Sequence, residues 1–315
     1  MPAPPSVRCR SRSGWPSRWK VSSRSPDLPG AFLGAPIAHR GLHDRACGVI
    51  ENSRGAIRAA IEAGYGIEID IQPAACGEAM VFHDDTLDRL TAETGAVRER
   101  SAEALGRIAL TASGGETIPT LGEILALVDG RAPLLIEIKD QDGALGPDVG
   151  PLGDRIAELL VEYAGPVAVM SFNPAALASL VEAAPRIPRG LITCDFTAEH
   201  WPRVPAERRA ALAALRDLEP LGAAFISHQW RDLSSPAVLA AKAAGRAVLC
   251  WTVRSPREER IARALADNVT FEGYLAEVPE DAPGQSAPSP APDPRPGGPG
   301  WRRRPHRQPA GPRGH

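Results

Sequence analysis

The stretch "IAHRGLHDRACGVIENS" (37–53) sets His39 and Arg40 side by side at the end of a short apolar segment, with Glu51 and Asn52 a dozen residues later. Both side chains resist burial, so their position asks for a use. An arginine forks onto phosphate or carboxylate oxygens, and a histidine near its ordinary pKa gives or takes a proton at neutral pH. "GIEIDIQ" (66–72) alternates Ile67, Ile69 and Ile71 with Glu68 and Asp70. A strand that buries the isoleucines on one side therefore puts both carboxylates on the other. Inside a fold they would repel and desolvate at high cost, and a divalent ion with oxygen ligands removes that cost. The other reading is an edge strand whose carboxylates face water. "LLIEIK" (134–139) repeats the pattern with Glu137 and Lys139. Alone it reads as an internal salt bridge. Beside "IEID" it supplies a third inward carboxylate and a cation, and three carboxylates make a site for Mg²⁺ or Ca²⁺ that needs no histidine ligand.

A further apolar segment, "AMVFHDD" (79–85), follows "GIEIDIQ" too closely for a crossover helix, so it returns as a hairpin. A tight turn centred on Cys76-Gly77 pairs Asp70 with His83 and brings Glu68, Asp70 and His83 to one face. A slip of one residue would rotate His83 away. Two histidines, an arginine and a carboxylate-bound cation match phosphodiester cleavage. The ion polarises the phosphoryl group, one histidine activates the nucleophile, and the other protonates the leaving alkoxide. His43 and His228 read as structural.

Apolar segments that would position these residues recur at 36–39, 66–72, 134–139, 167–172, 190–194, 223–228, 247–253 and 270–275. Most are separated by stretches of helical periodicity, such as "NSRGAIRAAIEAGY", "TLGEILALVDG" and "PAVLAAKAAGR". Strand-helix alternation implies a parallel sheet with helices outside, and eight strands suggest a closed (β/α)8 barrel, an α/β fold with its chemistry at the strands' C-terminal ends. An open doubly wound sheet is the alternative.

At 315 residues and 43% hydrophobic, the chain is long enough for one such barrel. A formal net charge of −2 gives no basic field to attract nucleic acid, which favours a small-molecule or lipid-derived substrate. Five scattered cysteines without a Cys-x-x-Cys pair argue against a disulfide framework and a zinc site. With no apolar run of bilayer-spanning length and no signal-type segment near Met1, the expected location is the cytosol, without stable membrane association. Residues 1–29 and 282–315, rich in Arg, Ser and Pro, read as disordered tails around a barrel at 30–281. A start codon assigned too far upstream is one explanation of the first tail. No nucleotide-binding motif is present: "GYG" (64–66) lacks the third glycine of a dinucleotide fingerprint.

Taken in order and spacing, "HRG", "IEN", "EID", "FHDDTLDRLT", "IPTL", "IEIK" and "CWTV" resemble the motifs of the glycerophosphodiester phosphodiesterase family. The likeness runs from about Ile37 to Leu275. It implies a TIM barrel with a small insertion after the second barrel strand, the insertion lying over the glycerol side of the site. It also implies His39 and His83 as the acid/base pair, Glu68, Asp70 and Glu137 as ligands of Mg²⁺ or Ca²⁺, and Arg40 and Lys139 as phosphate contacts. Glu51 would be a further site carboxylate, and Trp251 would line the pocket. The implied reaction is metal-dependent hydrolysis of glycerophosphodiesters to sn-glycerol 3-phosphate and an alcohol, by water or through a cyclic phosphate. A lysophospholipase D-like enzyme and a non-catalytic phosphate-binding barrel are the alternatives. The chain departs from the family at Val49-Ile50, where proline commonly precedes the glutamate, and at "FEGYLA", where many members end in a Thr-Asp strand. The first change should move Glu51 little, and the second should alter only the far wall of the pocket.

Overall fold

The computed structural model describes residues 25–279. Eight parallel strands close into a barrel: β1 (Ile37–Ala38), β2 (Gly66–Pro73), β4 (Leu134–Ile138), β5 (Val167–Ser171), β6 (Arg189–Thr193), β7 (Phe225–Gln229), β8 (Ala247–Val253) and β9 (Asn268–Phe271). β1 pairs with both β2 and β9, which joins the ends of the sheet. The open-sheet alternative is thereby excluded, and the crossover segments form helices where the periodicity placed them, including Arg54–Glu62, Leu121–Val128 and Pro236–Ala243. Ser53 caps the first, its hydroxyl accepting from Ala56 N at 3.2 Å, and Thr120 and Glu123 form a capping box at the second.

Alternation along each strand divides the apolar residues. Ile67, Ile69, Ile71, Leu134, Ile136 and Ile138 face outward into the layer between barrel and helices. The other parity fills the lower barrel with Ile37, Leu135, Met170, Phe225 and Leu249, joined by Phe32 from the short turn of helix before β1. Gly190 makes room there, since a Cβ on it would lie 2.3 Å from the Phe225 ring. Continuing along the same parity, Ile37 leads to His39 and Leu135 to Glu137. The plugged lower half thus forces the polar residues of these strands to the C-terminal end.

Three boundaries differ from expectation. Ser25–Pro29 pack under the barrel: Ser25 N donates to Gly222 O at 2.9 Å, Arg189 N donates to the Ser25 hydroxyl at 3.1 Å, and Leu28 is buried among the lower core residues. The ordered barrel therefore begins before residue 30; the rest of the first tail and the boundary at 281–282 lie outside the described residues. The last strand ends at Phe271 rather than Leu275, so Glu272 stands at the barrel mouth. The hairpin forms, with β3 (Ala79–Val81) antiparallel to β2, but its register pairs Ile71 with Val81. A three-residue loop, with Gly77 at φ 82°, replaces the two-residue turn, and Phe82 rather than His83 lies opposite Asp70, its N–H donating to Asp70 O at 2.9 Å. The insertion that follows builds its own small core from Met80, Phe82, Leu87, Leu90, Val97 and Ile118, which also takes in Ile50.

Among the described residues, no helix is long and apolar enough to cross a membrane. Cys76, Cys194 and Cys250 are free thiols.

Candidate active site

Strand register assembles the site. Ala38 pairs with Ile67, so the next residues, His39 and Glu68, are neighbours at the barrel mouth. Asp70 lies directly across from Glu137 in the β2–β4 pairing, and Glu68 shares its face by the period of two. Oxygens of Glu68, Asp70 and Glu137 approach one another within 4.8 Å, and all three residues are buried. The "HRG" turn closes around this group. Arg40 adopts φ 55°, and its N–H donates to Glu68 Oε2 at 2.8 Å. Gly41 follows at φ 76°, where a Cβ would lie 2.8 Å from the Ala56 carbonyl carbon; only glycine fits between the turn and the helix Arg54–Glu62.

Two cations partly balance the three carboxylates. Lys139 Nζ lies 2.7 Å from both Asp70 Oδ1 and Glu137 Oε1, and Arg40 Nε lies 3.3 Å from Asp70 Oδ2. Burial would raise the Asp70 carboxyl, but Lys139, His83 and Arg40 hold it far below the usual carboxylate range. Glu68 goes the other way, raised well above its ordinary value by burial and then by the charges of Asp70 and Glu137. Burial also raises Glu137, against the pull of Lys139. Glu68 Oε1 is buried with no hydrogen-bond donor. An orphaned carboxylate oxygen beside two further carboxylates is the donor set of a hard divalent cation, so these residues fit one.

Both histidines are held by carboxylates through Nδ1. His39 Nδ1 lies 2.5 Å from Glu272 Oε2, and His83 Nδ1 lies 2.6 Å from Asp84 Oδ1. His39 Nε2 faces Glu68 Oε2 at 3.9 Å. His83 reaches the same region despite its altered register, because the chain bends after β3, and it lines a cavity with Glu137 and Lys139. Glu51 sits at the edge. It accepts from Arg40 Nη1 at 2.7 Å and from Arg89 Nη1 and Nη2 at 2.8 and 2.7 Å. Burial would raise the Glu51 carboxyl, but Arg89 and Arg40 bring it down to about 2. Arg89 also binds Asp84 through Nε at 2.6 Å. One chain of charge therefore runs from Arg40 through Glu51, Arg89 and Asp84 to His83.

The cavity holds about 660 Å³, and its far wall is made by Leu145, Phe172, Trp201 and Val204. Trp251 stands beside this cavity, behind Phe172. Its indole N–H donates to Ser227 O at 2.9 Å, its ring packs edge-on against Phe172 at 5.4 Å, and it borders a smaller cavity of about 290 Å³ with Cys194, Asp195 and His200. His228 is internal, bonded to Thr193 Oγ1 at 2.7 Å and Asp232 Oδ2 at 3.2 Å. Four residues near the site have no role in the sequence expectations: Asn52, Asp84, Arg89 and Glu272. Asn52 exchanges two bonds with Asp70, donating Nδ2–H to Oδ2 at 2.9 Å and accepting Asp70 N–H at 3.1 Å. Its place in "IEN", and those of Asp84 and Arg89 in "FHDDTLDRLT", were the available signals. Glu272 lies in "FEGYLA", a stretch expected to alter only the far wall of the pocket, but the strand ends at Phe271 and leaves Glu272 at the mouth.

A closed α/β barrel with an acidic cluster and two carboxylate-held histidines at its mouth defines a hydrolase-type site. The profile of the glycerophosphoryl diester phosphodiesterase family matches residues 39–271, and the chain belongs to this family of phosphoric diester hydrolases. It is 32% identical over 174 residues to a glycerophosphodiester phosphodiesterase of Caldanaerobacter subterraneus subsp. tengcongensis, a match covering 52% of this chain and 69% of that protein. Among solved structures, a phosphodiesterase of Oleispira antarctica in complex with the product sn-glycerol-3-phosphate superposes with a TM-score of 0.61 at 26% identity, covering 77% of this chain and 94% of that one. The glycerophosphodiester phosphodiesterase of Thermotoga maritima has the same fold, with a TM-score of 0.56 at 21% identity over 75% of this chain and 94% of that one.

Proposed function

We propose that this protein hydrolyses glycerophosphodiesters to sn-glycerol 3-phosphate and an alcohol, with a divalent cation, Mg²⁺ or Ca²⁺, held by Glu68, Asp70 and Glu137. The observation that carries the reading is the approach of those carboxylates within 4.8 Å of one another, between His39 on one side and His83 on the other. When bound, the ion supplies Lewis-acid polarisation of the phosphoryl oxygens. The chain's own residues do the rest. Arg40 and Lys139 bring positive charge to the diester, and both hold their cationic form because the surrounding carboxylates outweigh the cost of burial. His39 and His83 move the protons, one from the attacking oxygen and one to the departing alkoxide. Asn52 fixes the Asp70 carboxylate, and the Glu51–Arg89–Asp84 chain fixes His83. The product complex of the Oleispira antarctica relative supports the choice of substrate.

The test is release of sn-glycerol 3-phosphate from glycerophosphocholine and glycerophosphoethanolamine by the purified protein. It is run with Mg²⁺, with Ca²⁺ and with EDTA, beside His39→Ala. Product that requires the cation and disappears in His39→Ala supports the proposal. A second reading, a lysolipid as substrate, draws on the apolar wall of Leu145, Phe172, Trp201 and Val204. It is favoured if lysophosphatidylcholine turns over and the glycerophosphodiesters do not. Absence of product from every diester, with cation binding intact, would return the chain to the class of phosphate-binding barrels.

A further inference from the structure

The cations around the acidic cluster are spent on carboxylates: Arg40 on Glu51 and Asp70, Lys139 on Asp70 and Glu137, Arg89 on Glu51 and Asp84, Arg254 on Glu272. Arg98 and Arg203 are different. Neither guanidinium has a hydrogen-bond or ion-pair partner among the described residues, and both line a cavity of about 190 Å³ that shares Gln72, Asp85, Asp140 and Gly143 with the larger one. Their backbones are well anchored. Arg98 follows Val97, which is buried in the core of the insertion and whose N–H donates to Asp85 O at 3.0 Å. Arg203 stands between Trp201, packed on Phe172 at 5.1 Å and on Phe196 at 5.2 Å, and Val204, buried with Leu145 and Phe196. A Cβ on Gly143 would lie 3.8 Å from Arg203 Nη1, so this guanidinium lies over the loop 140–148. That loop is acidic, but its carboxylates are turned onto backbone and amide donors. Asp140 accepts from Gly143 N at 2.7 Å, Leu145 N at 3.2 Å and Asn173 Nδ2 at 2.8 Å, and Asp142 accepts from Ala144 N and Gly146 N at 3.1 Å and from Asp148 N at 3.2 Å. Of the acids that line this cavity, only Asp85, exposed at the rim, has a side chain without a partner among the described residues.

We propose that Arg98 and Arg203 form a subsite for an anionic group, a carboxylate or a phosphate, on the alcohol that the reaction releases. The inference rests on the phosphodiesterase reading and names a substrate class within it: diesters whose alcohol is itself acidic. Guanidinium groups bind both kinds of oxyanion through paired N–H donors, and two unpaired ones facing a single small cavity have those donors to spare. Gln72 gives the span. It follows Asp70 by two residues on the same face of β2, about 7 Å along the strand, and it borders both cavities. A short alcohol such as serine or glycerol, esterified to a phosphoryl group at the acidic cluster, carries its far end over that distance. Arg98 then gives the insertion a share in holding the alcohol. Asp85 opposes the anion at the rim and sets a limit on the preference.

The experiment measures kcat/KM for wild type, Arg203→Gln, the double variant Arg98→Gln/Arg203→Gln, and Asp85→Asn on two matched pairs of diesters. Glycerophosphoserine and glycerophosphoethanolamine differ by a carboxylate, and glycerophosphoglycerol phosphate and glycerophosphoglycerol differ by a phosphate. All three substituted residues are exposed, so the variants should keep the wild-type Tm. Wild type should prefer the acidic member of at least one pair by about tenfold or more, the scale of one charge-assisted hydrogen bond, and the pair that shows it tells carboxylate from phosphate. Arg203→Gln should lower kcat/KM for that acidic member about tenfold, chiefly through KM, and change its neutral counterpart by no more than about twofold. The double variant should erase the preference, and Asp85→Asn should increase it. Equal turnover within both pairs by wild type, or a preference that survives in the double variant, overturns this inference alone. An equal loss on all four diesters in Arg203→Gln would make Arg203 a general support of the site and also overturn it. If wild type hydrolyses none of the four, the phosphodiesterase reading falls and this inference with it.

Discussion

Lys139→Met separates the two things that Lys139 does. Its ammonium lies 2.7 Å from Asp70 and 2.7 Å from Glu137, and its side chain is 14% exposed. At an effective dielectric near 20 each contact is worth about 6 kcal/mol, most of which offsets the burial of the charges. Removing one partner of such a pair costs about 3–5 kcal/mol net, because the carboxylates stay behind uncompensated. Methionine keeps the apolar stem, so packing loss is small. With EDTA present, Tm should fall by about 6–20 °C, at roughly 2–4 °C per kcal/mol for a domain of this size. A divalent ion competes with Lys139 for the same oxygens. Saturating Mg²⁺ should therefore raise the variant's Tm more than the wild type's and narrow the gap, and the variant should bind the ion more tightly. Differential scanning fluorimetry across a Mg²⁺ titration reads both. A gap unchanged by Mg²⁺, or no loss of Tm in EDTA, would refute the coupling of Lys139 and cation through shared carboxylates.

Glu68→Gln should abolish Mn²⁺ binding while raising the Tm of the metal-free protein at neutral pH. The folded carboxyl is raised above its unfolded value by burial and by Asp70 and Glu137, so its contribution falls as pH rises between the unfolded and folded values. The glutamine variant should lack that slope in urea titrations over a pH series, and wild-type Mn²⁺ affinity in it would count against Glu68 as a ligand. Arg89→Ala should cost about 1 kcal/mol, given its partial exposure, and lower kcat about tenfold through Asp84 and His83. Because Glu51 is held at about 2, its stabilisation is present above the unfolded carboxylate value near 4 and lost as pH falls toward 2. The difference between wild type and Arg89→Ala should close over that window, and a pH-independent difference would contradict the ion pair. Gly41→Ala combines φ 76° with a Cβ 2.8 Å from the Ala56 backbone and should cost about 3 kcal/mol or more, read as lost Tm or insolubility. Wild-type Tm and turnover would mean the "HRG" turn is far more plastic than described.

Much of the site was legible because period-two alternation is rigid. Once "IEID" and "IEIK" are parallel strands with isoleucines outward, Glu68, Asp70 and Glu137 must face inward, and the β2–β4 register does the rest. The hairpin was legible as a hairpin but not in register, because a three-residue loop and a two-residue turn differ by one position and the glycine fits either. His83 kept its place only because the chain leaves the strand geometry after Val81. Glu272 was hidden by the end of β9: "TFEGYL" has the apolar content of a strand, but pairing with two-residue β1 ends at Phe271. Residues 25–29 looked like tail because their few contacts are with the bottom of the barrel, made by backbone groups and Leu28 that no periodicity announces.

The central claim is tested most directly by following glycerophosphocholine by ³¹P NMR as the purified protein acts on it with Mg²⁺, with EDTA, and with Glu68→Gln in place of wild type. The account predicts that the diester resonance is replaced by that of sn-glycerol 3-phosphate in the Mg²⁺ sample and persists in the other two. Equal conversion in EDTA or by Glu68→Gln would contradict it.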